Sequence, residues 1–520
     1  MSEKLFYEDD TPSELQDRIR AAKPESWKVV DQNDMRLAVS KLRLVGIYDD
    51  RQERWFMLRT RIAGGMLTAD QADAIAGVAR DYSSRPDGDE DPEHFVEITT
   101  RQNIQLHWLL FENLPDVWDR YDAVGLTSLE ACGNSLRNVC SCPVAGLASD
   151  EWIDPRPAVE GVTRLALEDQ RFTAFLPRKF KVAVSGCSTD CVIQHVHCLS
   201  FVAARRDGEI GYNMLIGGGL SDYPRLASSA NLFLSEDQVV AATRAVLEVY
   251  RDHGDYEHPA VNRFRMLVHQ LGPERTEQEI KQRLAFDVRD EGEILGNGVW
   301  DDHLGVNPDR FGTHFVGLNV PVGRLHCDDL TEVARLSRLH GDGNIRLTSR
   351  QNLIITGVDD VDALLREPLL ERLKPFPDPF ERGIVACTSA PFCKFGILNV
   401  KEYGAQLADH LRRKVDEDKW DKLHGLKIHI SGCKASCAQP QLAHIGMRST
   451  MTKDEEDYHD AVDFVLGGTN TRLGEWTDLE VKIGDAWERT TAMVNEIADE
   501  MEGPGAITDE AITRVLRRMS

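Results

Sequence analysis

The feature that most constrains this fold is an internal repeat, because the 520-residue chain carries the same four segments twice and in the same order. Two of the pairs share a short string, RQN in one and SGC in the other. A repeat at this range indicates that one structural unit occurs twice. The paired segments are 61–80 with 319–338, the stretch around Arg101 with that around Arg350, 180–191 with 426–437, and the glycine-rich ends at Gly219 and Thr469.

Each repeat has the same coarse pattern of secondary structure. An alternating apolar strand precedes a segment with apolar residues at helical spacing, and a second strand follows at the RQN string. Further strands and helices with glycine-rich junctions come next, which is a mixed α+β pattern. We therefore predict a pseudo-twofold α+β molecule that holds a ligand between its halves. The polar, glycine-bearing stretch 287–309 is predicted to be the linker.

Charge and composition exclude several partners. The net charge of -25 argues against nucleic acid or an anionic membrane as a general partner. No run approaches the roughly 18 apolar residues of a membrane span. The first residues are acidic and show neither a secretory signal nor a transit peptide, so we expect a cytoplasmic protein. Its eleven cysteines are therefore predicted to be thiols, some of them metal ligands, rather than a disulfide scaffold.

Four cysteines in the second repeat form two close pairs. Cys387 and Cys393 lie in ACTSAPFCKFG, and Cys433 and Cys437 lie in ISGCKASCAQP. Four thiolates brought together by the fold suit a [4Fe-4S] cluster, one for each iron. Zinc is the competing metal, although five residues separate the first pair where zinc pairs usually have two to four. Buried apolar cysteines are the third interpretation, and the glycine and proline around both pairs argue against it.

The first repeat has thiols at related positions. Its pair Cys187 and Cys191 matches Cys433 and Cys437, while two further cysteines, Cys140 and Cys142, lie near the expected places of Cys387 and Cys393. Only one residue separates Cys140 from Cys142, so the spacing of the second repeat is not reproduced. We therefore expect one cluster, with the first set a partial copy. The sequence assigns no role to Cys132 or Cys198.

These motifs resemble those of the ferredoxin-dependent nitrite and sulfite reductases, from about Lys41 to about Glu500. The resemblance rests on C-x5-C followed by GC-x3-C, and on the strings TTRQNIQLHW, RNV and LPRKFK. It implies sirohaem and a [4Fe-4S] cluster held by Cys387, Cys393, Cys433 and Cys437, with Cys437 joining the cluster to the sirohaem iron. It also implies that ferredoxin, or a similar one-electron carrier, supplies the electrons, since no nucleotide or flavin motif is visible.

The same resemblance implies a fold in which each half is a ferredoxin-like α/β unit followed by a sirohaem/[4Fe-4S]-binding α+β domain. The expected domains are an N-terminal extension (1–40), a first ferredoxin-like half-domain (41–115), a first sirohaem domain with the substrate-binding cations (123–285), a linker (286–310), a second ferredoxin-like half-domain (311–375), and a sirohaem/[4Fe-4S] domain (380–518).

Candidate cations for an oxyanion substrate occur in the first half. Lys179 and Lys181 alternate about Phe180, so a strand would direct both to one face. By resemblance, Arg59, Arg137, Lys179 and Lys181 bind the substrate and assist proton delivery, although each alone would more often be a surface charge. The string Arg101, Gln102, Asn103 and His107 resembles the family's sirohaem-binding string, in which arginine pairs with the macrocycle's carboxylates.

The predicted reaction is the six-electron reduction of nitrite to ammonia or of sulfite to sulfide. The run GLTSLEACGNSLRNVCSCPVAG is nearer the nitrite enzymes, whereas Lys181 favours a dianion such as sulfite. The balance favours nitrite slightly. Two interpretations from other classes stay open, a structural zinc protein and a protein that binds sirohaem without turnover.

Overall fold

A computed structural model describes residues 9–22, 40–83, 94–298, 301–453 and 457–501, and part of 503–518. The predicted extension, residues 1–40, therefore lies partly outside the described residues. Its helix α1, Pro12–Ala21, buries Leu15 and Ile19 in the core of the first half. Within the described residues, no helix combines the length and the apolar character that crossing a membrane requires.

Two small units and two larger ones follow one another along the chain. The first small unit contains β1 Ile47–Asp49, β2 Trp55–Thr60, β3 Met66–Thr68, α2 Ala69–Tyr82, β4 Phe95–Ile98, β5 Ile104–Leu110 and α3 Leu114–Asp122. The first larger unit contains β6 Leu136–Ser141, α4 Arg156–Glu168, α5 Gln170–Thr173, β7 Phe180–Ser185, β8 Leu199–Arg206, β9 Glu209–Ile216, β10 Ser228–Leu234, α6 Val239–His253, α7 Phe264–Leu271, α8 Pro273–Lys281 and β11 Glu293–Ile294.

The second half repeats this order. Its small unit contains β12 Gly305–Pro308, β13 His314–Leu318, β14 Arg324–His326, α9 Cys327–His340, β15 Asn344–Leu347, β16 Leu353–Val358 and α10 Val361–Leu365. Its larger unit contains α11 Pro379–Gly383, β17 Ile384–Ala386, α12 Val400–Lys414, β18 Ile428–Ser431, β19 Ile445–Lys453, β20 Tyr458–Leu466, β21 Glu475–Lys482 and α13 Ile483–Glu500.

The two small units exchange an edge strand. Strand β14 of the second unit pairs with β4 of the first, and β3 of the first pairs with β15 of the second. The sheets therefore have the orders β1-β2-β5-β4-β14 and β12-β13-β16-β15-β3. One hydrophobic core combines residues of both units. Because each unit completes the other's sheet, the two halves form a single pseudo-twofold body, and the predicted α+β repeat fold is confirmed.

The larger units place thiols at corresponding sheet edges. Strands β6, β7 and β8 run parallel, and so do β17, β18 and β19. The carboxyl ends of neighbouring parallel strands meet at one edge of a sheet. Cys142 and Cys187 therefore follow β6 and β7 in one half, just as Cys387 and Cys433 follow β17 and β18 in the other.

The predicted linker is more structured than its composition suggested. Within 286–310, strand β11 pairs with β8, and the side chains of Asp302 and His303 are buried. Arg382, close to the start of β17, binds Asp302 through two contacts of 2.6 Å. This stretch is therefore packed into the molecule rather than spanning it as a free connection, although Gly298 precedes two residues outside the described part.

Candidate functional site

The four predicted thiols of the second half lie together. Burial raises the pKa of the Cys387 thiol, and the charges of Cys437, Cys433 and Cys393 raise it further. The Gly432 amide donates a hydrogen bond of 3.2 Å to the Cys387 sulfur. A Cβ atom at Gly432 would lie 1.8 Å from Ser389 Oγ, so only glycine permits this close approach. The fold thus brings together the thiols that the sequence placed 50 residues apart.

Their spacing favours a cluster over a single ion. No three of these four sulfurs, all of them within the described residues, lie mutually within 4.8 Å. Tetrahedral zinc with bonds of about 2.3 Å would require sulfurs about 3.8 Å apart. A cube of iron and sulfide occupies more space and takes one thiolate per iron. The donor set therefore fits a [4Fe-4S] cluster.

Cys437 is the exposed member of the four, and a side chain of the first half positions its backbone. Thr100 Oγ1 donates a hydrogen bond of 2.9 Å to the Cys437 carbonyl oxygen. Thr100 directly precedes Arg101 of the first RQN string. The contact therefore joins the residue before the RQN string of one repeat to the last thiol of the other.

The predicted lysine pair lies beside Cys437. Phe180, between the two lysines, is fully buried, and the alternation of strand β7 directs Lys179 and Lys181 to the opposite face. Burial lowers the pKa of Lys179 well below its usual range, whereas the nearby charge of Cys437 raises it. Burial and the charges of Arg101 and Arg263 lower the pKa of Lys181 to about 7. Lys181 therefore exchanges its proton near neutral pH.

The two predicted arginines lie on strands, Arg59 on β2 and Arg137 on β6. Arg59 on β2 donates hydrogen bonds to Gln105 Oε1, at 2.6 and 3.1 Å, and contacts Cys132 Sγ at 3.3 Å. Arg137 donates to the carbonyl oxygens of Gly133 and Ala131 at 3.0 and 2.9 Å. Burial lowers the pKa of Arg137, and the charges of Arg59 and Arg101 contribute to the shift. Cys132 thus contacts this arginine group, which the sequence did not reveal.

Arg263 is a further cation of this group that sequence reasoning missed. Its charge lowers the pKa of Lys179 more than any other neighbouring charge does, and its buried Nε has no hydrogen-bond partner among the described residues. In the sequence Arg263 is distinguished only by its position in VNRFRM, directly before helix α7. Many surface arginines occupy such a position, so the sequence does not indicate a functional role.

The cations of this group have no acidic partners. Within the described parts of the chain, none of them forms an ion pair with a carboxylate, although the protein carries a net charge of -25. Most of these cations are half-buried and Arg137 is buried. Charges withdrawn from water in this way are normally paired, so an unpaired group fits anionic ligands such as a polycarboxylate macrocycle and an oxyanion. The group, which we call the cation cluster, consists of Arg59, Arg101, Arg137, Lys179, Lys181 and Arg263.

The RQN string contains one half-buried side chain, Arg101, and two buried side chains that hold backbone segments together. Arg101 contacts His197 Nδ1 at 2.9 Å and belongs to the cation cluster. Gln102 is fully buried, donates to Ser141 O and Leu347 O at 2.8 and 2.9 Å, and accepts from Ser141 N. Asn103 Oδ1 accepts from Ile62 N at 3.2 Å. Gln102 and Asn103 therefore hold backbone segments together, and their predicted contact with a cofactor stays a prediction.

His107 lies in a different part of the site from Arg101, and its predicted role in binding sirohaem stays a prediction. Its ring stacks on Phe392 at 4.0 Å, next to Cys393, and lies between the carboxylates of Asp50 at 3.3 Å and Glu97 at 3.5 Å. Burial lowers the pKa of His107, but these carboxylates outweigh it and raise the pKa overall. His107 therefore lies beside Cys393, one of the four thiols of the second half, and is not part of the cation cluster.

Comparison with known proteins places the chain in a family. The model of the nitrite and sulphite reductase 4Fe-4S domain matches residues 132–288, and that of the nitrite/sulfite reductase ferredoxin-like half domain matches residues 48–124 and 307–371. Together these matches span more than half of the chain. The chain belongs to the nitrite and sulphite reductase family.

Relatives agree with this family over nearly the whole length. The assimilatory ferredoxin-dependent nitrite reductase of Haloferax mediterranei is 34% identical over 534 residues, covering 95% of this chain and 90% of the relative. The ferredoxin–nitrite reductase of Synechococcus elongatus is 34% identical over 493 residues, covering 91% of each. The structure of the Mycobacterium tuberculosis NirA protein has a TM-score of 0.88 at 27% identity and covers 97% of this chain and 94% of its own.

The family assignment confirms the predicted enzyme class, an oxidoreductase with an iron–sulfur cluster. The matched 4Fe-4S domain includes Cys142, Cys187 and Cys191 of the first half and ends before Cys387. The family match therefore does not indicate which half holds the cluster, and the geometry of the thiols in this chain has to decide it.

Proposed function

We propose that this protein is a ferredoxin-dependent nitrite reductase that reduces nitrite to ammonia. The observation that carries the proposal is the cation cluster, a group of half-buried cations around the buried Arg137, without acidic partners and next to the exposed Cys437. Relatives named as ferredoxin-dependent nitrite reductases support the choice of nitrite. In the overall reaction nitrite takes up six electrons and eight protons and yields ammonium and two waters.

We propose that Cys387, Cys393, Cys433 and Cys437 hold a [4Fe-4S] cluster and that sirohaem lies between Cys437 and the cation cluster. When bound, these groups supply single electrons and an iron that binds the substrate nitrogen. Arg101 offers its guanidinium to the macrocycle's carboxylates. Gln102 and Asn103 keep Arg101 in place through their backbone contacts.

The chain's own contribution to the chemistry is to hold the anion and deliver protons. Arg59 and Arg137 present positive charge where oxygen leaves, and Lys179 adds an amine hydrogen-bond donor beside them. Fixed donors of this kind stabilise developing negative charge. Lys181, with a pKa of about 7, gives up a proton and regains it near neutral pH. The protonated lysine is the donor and the departing oxygen the acceptor.

We propose that a reduced carrier docks near Cys393. The following residues include Lys394, which forms an ion pair with Asp49, and Phe395, whose side chain is 72% exposed. An apolar side chain beside a cation suits a small acidic ferredoxin. Replacing Lys394 by glutamate is expected to raise the KM for ferredoxin and leave turnover with a small dye donor unchanged. An unchanged KM for ferredoxin would contradict this docking site.

Turnover of both anions by the cofactor-loaded protein tests the substrate. We expect a higher kcat/KM for nitrite with reduced ferredoxin, and a strong excess for sulfite would overturn the proposal. Sulfite is the second candidate because the adjacent cations Lys179 and Lys181 suit a dianion. A colourless protein that contains zinc and no iron would support the alternative of a structural zinc protein. A coloured protein that turns over neither anion would support the alternative of a protein that binds sirohaem without catalysis. Cysteines that are all free agree with a cytoplasmic location.

A further inference from the structure

A second group of metal-binding side chains lies in the first half, outside the site described above. Cys142 follows β6, Cys191 follows β7, and His303 comes from the stretch before β12. The sulfurs of Cys142 and Cys191 are 3.5 Å apart, and His303 Nε2 lies 3.0 Å from Cys191 Sγ and 3.9 Å from Cys142 Sγ. These three ligand atoms all lie within 4.8 Å of one another.

Cys187 provides a fourth donor. Its side chain shares an apolar cluster with Cys142 and Cys191 and interacts electrostatically with both thiols. Its sulfur is not within 4.8 Å of all three other ligand atoms, so Cys187 would move towards the ion on binding. Cys140, which the sequence grouped with Cys142, instead packs with Ala183 and Val192 in a separate apolar cluster. The set is therefore three thiols and one imidazole, Cys142, Cys187, Cys191 and His303.

The four side chains are enclosed. Cys142 is 1% exposed, Cys191 is 2% exposed and His303 is 7% exposed. Val144, Phe315 and Ile354 pack around the thiols. Three cysteines and a histidine in a closed shell are a ligand set of structural zinc, whereas catalytic zinc keeps an open position.

The histidine is oriented as a metal ligand would be. His303 Nε2 points to the sulfurs, while Nδ1 lies 3.5 Å from the Asp301 carboxylate. A carboxylate on the far ring nitrogen is the usual outer partner of a zinc-bound histidine, because it selects the tautomer that leaves Nε2 free for metal. Thr189 Oγ1 lies 3.1 Å from Cys191 Sγ, within hydrogen-bond distance, and would donate to that sulfur as a thiolate.

We propose that Cys142, Cys187, Cys191 and His303 bind one zinc ion that fixes the connection between the two halves. The ion neutralises thiolates whose burial would otherwise cost several kcal/mol. It joins the ends of β6 and β7 to the 286–310 stretch that carries His303. Ser349 of the second half donates a hydrogen bond of 2.6 Å to the Cys191 carbonyl oxygen, so the ion braces both halves at one point.

Two other occupants fit the geometry less well. A [4Fe-4S] cluster needs more space than sulfurs 3.5 Å apart leave, as the wider spacing of the second half illustrates. A Cys142–Cys191 disulfide would require the sulfurs to approach to about 2.0 Å and would leave Cys187 and His303 without a role.

Metal analysis of the holoenzyme tests the site. We expect one zinc per chain in addition to the iron. Zinc-edge X-ray absorption should show three sulfurs at about 2.3 Å and one nitrogen at about 2.0–2.1 Å. This measurement needs no variant and separates zinc from the iron of the cofactors. Absence of zinc, a shell of four sulfurs without nitrogen, or a Cys142–Cys191 disulfide found by mass spectrometry would each overturn the proposal.

Variants assign the ligands. Cys142→Ser and His303→Ala are expected to lose zinc and keep the iron content, while His303→Cys should keep zinc with a four-sulfur shell. Cys140→Ser is the matched control, since its thiol is equally buried but outside the set, and it should keep zinc. Should the first two variants fail to fold, the His303→Cys spectrum still decides, because an unchanged nitrogen contribution there would exclude His303.

Discussion

The two halves build different thiol sites on the same scaffold. In both, one thiol follows the first of two parallel strands and a pair follows the second, so Cys142 corresponds to Cys387 and Cys191 to Cys437. The last thiol of each half is held from the opposite half, by Ser349 in one case and Thr100 in the other. The difference lies in the fourth donor and in what surrounds the site.

The second half takes its fourth donor from the loop that carries Cys393, which leaves the sulfurs widely spaced and Cys437 exposed beside the cation cluster. The first half takes its fourth donor from His303, which closes the site under apolar side chains. A duplicated framework can thus keep one site open for chemistry and turn the other into a structural brace. Exposure of the last thiol decides which role each half has.

The strongest test of this contrast replaces the corresponding last thiols. Cys437→Ser is expected to lose the iron–sulfur absorption and reduce nitrite turnover by more than the roughly 10–100-fold cost of losing an outer-shell partner. Cys191→Ser should keep the iron and the turnover per iron, but lose zinc and several kcal/mol of unfolding free energy. Iron and zinc analysis, visible spectra and thermal unfolding measure these effects.

Interchanged effects of these two variants would contradict the assignment of the iron–sulfur cluster to the second half. Loss of iron in Cys191→Ser together with normal iron in Cys437→Ser would place the cluster in the first half. Cys198→Ser is the control, because Cys198 is buried in the apolar core of the first larger unit and should leave both metals in place.

The open site is expected to depend on charge where the closed site does not. Lys179→Gln should lower kcat for nitrite about 100- to 1000-fold, the usual cost of removing one fixed donor from developing charge. Zinc content should stay unchanged. Lys179→Arg is expected to restore part of the rate. Lys414→Gln, on the exposed end of α12, is expected to change neither kcat for nitrite nor zinc content. A loss of nitrite binding alone, with kcat intact, would contradict a role in the reaction step.

Much of this contrast could be predicted from the sequence. The repeat, the four thiols of the second half and the alternation of Lys179 and Lys181 about the buried Phe180 all follow from residue patterns. These features are local or occur twice, so their signal does not depend on tertiary contacts.

The rest depends on contacts between distant segments. Strands β3 and β14 have three residues each, too short to show a period, and their exchange is visible only in the sheet pairing. His303 lies in a polar stretch typical of a linker, and Arg263 in an ordinary helix start. Nothing in the local sequence distinguishes Cys142 from Cys140. In the structure β6 ends at Ser141, so Cys140 lies within the strand and Cys142 follows it.

The clamps between the halves offer a crossed test. Gln351 donates to Ile98 O at 2.9 Å and accepts from Ala386 N at 3.2 Å, which mirrors Gln102 with Leu347 and Ser141. Replacing either by leucine leaves buried backbone groups unpaired and should cost about 1–3 kcal/mol of unfolding free energy.

The two clamp variants should differ in the metal they affect. Ala386 precedes Cys387, so Gln351→Leu is expected to alter the cluster's spectrum or midpoint potential. Ser141 precedes Cys142, so Gln102→Leu should instead weaken zinc retention against a chelator. Gln406→Leu, at an exposed position of α12, is the control for unfolding measurements. Equal effects of both clamp variants on both metals would mean that the halves respond as one unit.

The smallest expected effect concerns the pH dependence of the open site. The pKa of Lys181 is lowered to about 7, so its proton and positive charge are present below pH 7 and lost as the pH rises through that value. Nitrite turnover should therefore fall a few-fold on the alkaline side. Lys181→Arg keeps the charge to far higher pH and is expected to move that limb upward. Zinc retention, which depends on no lysine, should show no such limb in either protein. If the rate falls at the same alkaline pH in wild type and in Lys181→Arg, the fall belongs to another titrating group. The charge of residue 181 would then not be the source of the pH dependence.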